Sequence, residues 1–130
     1  MITYPVTVTR DENLWAAVVH DLPKGIIGAT DTEHFADLET EVRDLIAGLI
    51  DADPDGFRIE WRFELGGRDV TQAVTGLMQA EAALRAARES RDNLRSYALE
   101  VLAGTGLSQA AIGDVLGVSH QRVHQLLKAS

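Results

Sequence analysis

Near the end of the 130-residue chain, the run from Ser119 to Lys128 gathers side chains that hydrogen-bond without being reactive. A glutamine sets a donor beside an acceptor and matches the edge of adenine. The fork of an arginine matches guanine, and a serine hydroxyl or a lysine ammonium reaches phosphate oxygens. Ser119, His120, Gln121, Arg122, His124, Gln125 and Lys128 are therefore the candidate contacts to DNA. His120 and His124 are four apart, on one helix face, and could both reach a metal ion. No third ligand lies near them, so polar contact to DNA or solvent is the favoured role, and neither a metal nor another cofactor is expected. A second cluster, Asp51-Ala52-Asp53-Pro54-Asp55-Gly56, matches the first half of a calcium-binding loop. The position that must supply a bidentate Glu is Arg62, and the residues beyond Gly56 alternate like a strand. The favoured reading is an acidic helix-to-strand turn.

Contacts of this kind need a helix to present them. Leu107 to Leu127 resembles a helix-turn-helix. Ser108 is placed to cap a first short helix and Ser119 a second. Ile112, Leu116, Val118, Val123 and Leu126 are spaced to form the core between two crossed helices. Gly113 is small where the helices approach, and Gly117 supplies the tight turn. In this motif the second helix enters the major groove with its N-terminal residues toward base edges. The run Gly-Val-Ser-x-x-x-Val-x-x-Leu, Gly117 to Leu126, is similar to the DNA-reading part of sigma factors and of many small repressors.

Upstream, Val70 to about Ala103 is rich in strong helix formers. Gly76 and Ser90 to Asn93 are the candidate breaks, so the segment reads as one long helix or two in tandem. Its apolar residues, from Val70 and Val74 through Leu77, Met78, Leu84 and Leu94 to Ala98, Val101 and Leu102, are too irregular for a long coiled coil. They serve either packing within the chain or a dimer seam.

The first half reads differently. Tyr4, Val6 and Val8 alternate with Pro5, Thr7 and Thr9 as a strand. Leu14 to His20 forms a second strand, and Ile26 to Ala29 a short third. Thr30, Asp31 and Thr32 offer N-caps to a helix carrying Phe35, Leu38, Val42, Leu45, Ile46, Leu49 and Ile50 at helical spacing. Phe57, Ile59, Trp61, Phe63 and Leu65 alternate with charged residues as a half-buried strand, which Gly66-Gly67 ends. The expected fold class is α+β: a small β-β-β-α-β N-terminal module followed by an all-α C-terminal helix-turn-helix module. The expected domains are residues 1–66, a connecting helix or helices over 67–103, and the helix-turn-helix over 104–130.

Tyr4-Pro5-Val6, a charged turn, Trp15-Ala16-Ala17-Val18, Asp21-Leu22-Pro23 and Ala29-Thr30-Asp31-Thr32 ahead of an acidic helix resemble the HicB antitoxins. The resemblance covers roughly residues 2–65. It implies a partial RNase H-like domain, a DNA-binding region after it, and a small HicA-like RNase toxin as partner. Two positions depart from the family pattern: Lys24-Gly25 follows the Asp-Leu-Pro turn, and the helix opens with Glu33-His34-Phe35-Ala36. A nuclease of the RNase H type needs several carboxylates converging on metal ions, one of them inside the first strand. Tyr4 to Thr9 carries none. There is also no cysteine, no nucleophile elbow, no phosphate-binding loop and no zinc-protease pair of histidines. The chain is read as not an enzyme, with no catalytic residues.

Charge separates the halves. Residues 1–66 hold 14 Asp and Glu against five Lys and Arg, a net of −9; residues 67–130 hold six against seven, a net of +1. The acidic half repels phosphate and suits a basic protein; the rest suits DNA. The expected function is an antitoxin-like transcriptional repressor, neutralising a basic toxin with one module and binding double-stranded operator DNA with the other. The alternative is a free-standing helix-turn-helix regulator whose first module is a sensor or oligomerisation domain. Phosphate contacts dominate DNA affinity, and residues 84–130 carry a net of only +2, so a homo-dimer or higher oligomer is expected. The absence of cysteine, of a long apolar run and of signal-peptide regions at the start leads to the expectation of a cytoplasmic protein with no membrane partner.

Overall fold

The computed structural model describes residues 1–129. It is a mixed α+β structure with a five-stranded sheet and, among the described residues, four α-helices. The chain divides into two units, Met1–Met78 and the part from Gln79 onward.

In the first unit β1 (Thr3–Asp11) and β2 (Leu14–Val19) form a hairpin, and β3 (Gly28–Thr32) adds antiparallel to β2. Helix α1 (Leu38–Ile50) follows, then β4 (Arg58–Leu65), which returns parallel to β1 with Val6 opposite Trp61. The two-residue β5 (Arg68–Asp69) turns back on β4, so the strand order is β3-β2-β1-β4-β5. Alternation puts Tyr4, Val6, Val8, Ala17, Val19 and Phe63 on one face. Leu38, Val42 and Ile46, spaced four apart on α1, complete the same buried core. Full burial of a side chain such as Ile46 contributes about 1.5–3 kcal/mol. Phe35 bridges the ring of Trp15, edge-on at 5.2 Å, to that of Phe63 at 5.9 Å.

Three expectations for this unit need correction. The third strand spans Gly28–Thr32, not Ile26 to Ala29. Thr30, Asp31 and Thr32 pair with Ala17, Ala16 and Trp15, so they extend the sheet and do not cap a helix. The helix begins only at Leu38, after a 3-10 turn over Phe35–Asp37, and the buried Thr32 donates its hydroxyl to the His34 carbonyl at 2.9 Å. Gly66 and Gly67 do more than end β4. With φ of 60° and 74° they form the tight turn into β5, a conformation that favours glycine.

The acidic turn after α1 is held by its own hydrogen bonds. Asp51 closes the helix in the left-handed region, the Asp55 N–H donates to Asp53 Oδ1 at 2.9 Å, and Arg43 donates to the Pro54 carbonyl at 2.9 Å.

Helix α2 (Thr71–Ala103) is continuous, running through both Gly76 and Ser90 to Asn93. Val70, Val74 and Met78 pack on the first core. In the second unit Leu99 joins Ile112 of α3 (Gln109–Leu116) and Val123 of α4 (His120–Ala129) in a small core of its own. Leu102, Leu116, Val118, Leu126 and Leu127 surround it, half-buried. Among the described residues, no helix is long and apolar enough to cross a membrane.

Candidate nucleic-acid interface

The candidate contacts all lie on α4 or its cap, and the geometry of α4 is set by the turn before it. Ser108 Oγ accepts the Ala111 N–H at 3.1 Å and starts α3. Gly117, left-handed with φ 72°, ends α3, and the Val118 N–H donates to the Gly113 carbonyl at 3.0 Å. That six-to-one hydrogen bond over a left-handed glycine is a Schellman closure, and the Gly113 carbonyl accepts it alongside the Gly117 N–H. Ser119 Oγ then accepts the Arg122 N–H at 3.1 Å and starts α4. A Cβ on Gly113 would stand 2.5 Å from the Val118 carbonyl oxygen, so only glycine lets the turn fold this closely over α3.

With two caps and one close approach fixed, the faces of α4 follow from helical spacing. Val123 is fully buried, with Leu126 and Leu127 half-buried beside it. Ser119, His120, Gln121, Arg122, His124, Gln125 and Lys128 are all exposed. At about 100° per residue, Gln121, Gln125 and Lys128 lie opposite Val123, with His124 on one flank and Arg122 on the other. The Arg122 guanidinium reaches Gln125 Oε1 at 3.4 Å, so these two side chains form one polar surface. His124 Nδ1 lies 3.4 Å from Gln109 Nε2, a contact that the Nε2-protonated tautomer satisfies. Ser119 Oγ accepts in the helix cap, which leaves its hydroxyl proton unused by that bond.

Gln109 is the residue that sequence reasoning missed. It sits directly after the Ser108 cap, and the α3–α4 crossing brings it to His124. Among the described residues, no group of three or more His, Asp or Glu stands close enough to hold a metal ion.

In the first unit the candidate partner surface is acidic. Asp21, Asp31, Glu33, Asp37, Glu39, Glu41 and Asp44 are exposed around β3 and α1. The outer face of the sheet carries small residues on β1 and β2, Pro5, Thr7, Ala16 and Val18, beside the charged Glu60 and Arg62 of β4, with Thr7 Oγ1 3.1 Å from His20 Nε2. No protein-family model, curated protein or solved structure matches the chain.

Proposed function

We propose that the protein is an antitoxin-like transcriptional repressor. It reads operator DNA with the exposed face of α4, and it binds a small basic HicA-like RNase with its acidic first unit. The observation that carries the DNA half is the α4 surface: Gln121, Gln125 and Lys128 stand opposite buried Val123, on a helix capped at a tight turn. This is the disposition a recognition helix needs, because base-reading side chains must project from a helix whose other side is locked to its support. Gln121 and Gln125 are suited to adenine and Arg122 to guanine, while Ser119 and Lys128 reach phosphates. The partner half is supported by the HicB-like motifs, by the β-β-β-α-β order that opens the first unit ahead of the two-residue β5, and by a net charge of −9 over residues 1–66. A basic protein would be steered to that surface, while DNA would be repelled from it.

The test is fluorescence anisotropy with DNA from the promoter of the protein's own gene, at several salt concentrations. Gln121→Ala and Arg122→Ala should each weaken binding about tenfold, in the range expected for one base contact, with the melting temperature unchanged. Unaltered affinity in both variants removes α4 from the interface. Co-purification of a small basic protein from the native host, with loss of its RNase activity in the complex, tests the second half. Promoter binding without any such partner would favour the free-standing regulator.

A further inference from the structure

Helix α2 carries an apolar stripe that neither core uses. Within the second unit, Ala80, Leu84, Ala87, Arg91, Leu94 and Ala98 recur at alternating steps of four and three. Over this short stretch that is the seven-residue repeat of a coiled-coil seam, with Arg91 at one seam position, although the apolar residues of α2 as a whole do not keep it. Leu94 is 65% exposed and Leu84 44%. Beside the stripe, Ala87, Arg91 and Leu94 line a groove of about 520 Å³ with Val115 and Leu116 of α3. Val115 is itself 65% exposed.

We infer that this stripe is the homodimer seam, with α2 of a second copy lying antiparallel across it, centred near Glu89. The size of the residues selects this register. An antiparallel pair centred there sets Leu84 against Leu94 of the second copy, Ala80 against Ala98, and Ala87 against Arg91. Large side chains meet large ones, the smallest meet each other, and the one long charged side chain lies over an alanine. Leu84 of the second copy enters the groove between Leu94 and Val115.

Charge selects the same arrangement. In an antiparallel coil the residues flanking the seam meet their own class on the other helix. Glu81 then faces Arg95 of the second copy, and the twofold axis repeats the pair. Arg88 meets its own copy near the axis, the one like-charge contact. A parallel, in-register pair would stack Arg91 on Arg91 inside the seam and would form no opposite-charge pair at its edges, where Ala83 would face Arg88 and Ser90 would face Arg95.

The seam rests on α2 alone and not on the DNA reading. If that reading holds, the seam also sets the half-site spacing. Leu99, around which α3 and α4 pack, lies ten residues from the centre. At about 1.5 Å per residue the two copies of Leu99 stand roughly 30 Å apart along the axis, close to the roughly 34–36 Å of one DNA turn.

The test is made on the full chain without DNA. Sedimentation equilibrium should show a dimer. Leu94→Glu should raise its dissociation constant by at least about tenfold, with helicity by circular dichroism unchanged because Leu94 lies outside both cores. Glu81→Arg should weaken the dimer about tenfold through its two symmetric contacts, and the double variant Glu81→Arg/Arg95→Glu should restore it. Arg88→Gln should tighten it. Orientation is read by oxidative crosslinking, since the chain has no native cysteine. Mixed Leu84→Cys and Leu94→Cys chains should form a disulfide-linked heterodimer, and Leu84→Cys alone should not. A monomer at every soluble concentration overturns the inference. So does a dimer indifferent to Leu94→Glu and the charge exchange, or a Leu84→Cys chain that crosslinks to itself.

Discussion

At Gly113 the missing side chain is what lets the turn close. A Cβ there would sit 2.5 Å from the Val118 carbonyl oxygen, 3.4 Å from the Ser119 carbonyl carbon and 3.5 Å from the His120 nitrogen. All three are backbone atoms and cannot rotate away. Gly113→Ala must therefore shift α4 against α3, and overpacking of this kind costs about 1–3 kcal/mol. Gly76 is the opposite case. It lies inside α2, and nothing stands within 4 Å of the position its Cβ would take. Gly76→Ala should stabilise the helix by about 0.5–1 kcal/mol, because alanine loses less backbone entropy on folding. Thermal melts of the two variants should move in opposite directions; equal shifts would mean that the close approach at Gly113 is absent in solution. Val123→Asp belongs to the same scale. It places a carboxylate at a fully buried site with no partner, and it should unfold the small core around Leu99 and Ile112. Loss of the amide dispersion of α3 and α4 in an NMR spectrum would show this, while Arg122→Ala should keep the dispersion intact.

Among the elements, α2 depends on what precedes it. Asp69 Oδ1 accepts the Thr71 N–H at 3.0 Å, and Thr71 Oγ1 accepts the Phe63 N–H at 2.8 Å, which ties the helix start to β4. Hydrogen bonds from the Thr71 side chain and backbone hold the Asp69 carboxyl below its ordinary value of 3.8, with attraction from Arg62 a smaller cause. A carboxyl lowered in the folded state stabilises fully above its unfolded value and loses that contribution as pH falls through the lower folded value. The stabilisation is thus present above about pH 4 and lost below it. Asp69→Asn removes the ionisation, so its melting temperature should fall less than that of the wild type between about pH 5 and pH 2. Identical pH profiles would show that the carboxylate does not hold the helix start. The elements also explain what the sequence made legible. The α4 face was readable because one apolar stripe, Val123, Leu126 and Leu127, leaves every other residue outside. The stripe of α2 was not, because three faces overlap in one helix: Val70, Val74 and Met78 serve one core, Leu99 and Leu102 another, and Leu84 and Leu94 neither. Thr30, Asp31 and Thr32 suit a cap and a strand equally by local chemistry, and pairing with β2 decides between them. The contact of Gln109 with His124 depends on a crossing of two helices that no local pattern encodes.

For the whole molecule, the distribution of charge would govern how the proposed DNA binding responds to salt. Residues 1–66 carry a net of −9 and residues 84–130 a net of only +2, so the chain has little general attraction for phosphate. Each phosphate neutralised releases condensed counterions, and the logarithm of affinity falls with the logarithm of salt by about 0.9 per contact. If Lys128 of each copy neutralises one phosphate, a dimer makes two such contacts, and the slope should be about −2. This would be shallow beside a strongly basic repressor, and most of the discrimination would then come from Gln121, Arg122 and Gln125 at base edges. The two kinds of side chain are separable by experiment. Lys128→Ala removes one phosphate contact per copy and should reduce the slope by about two, weakening all sequences alike. Gln121→Ala should leave the slope unchanged and lower affinity for the operator more than for random DNA. Anisotropy titrations of both variants on operator and random duplexes, over a range of salt, measure all four quantities. A steep slope that Lys128→Ala does not alter would place the phosphate contacts elsewhere, on the arginines of α2. A Gln121→Ala variant weakened equally on both duplexes would mean that α4 lies along the backbone and does not read the groove.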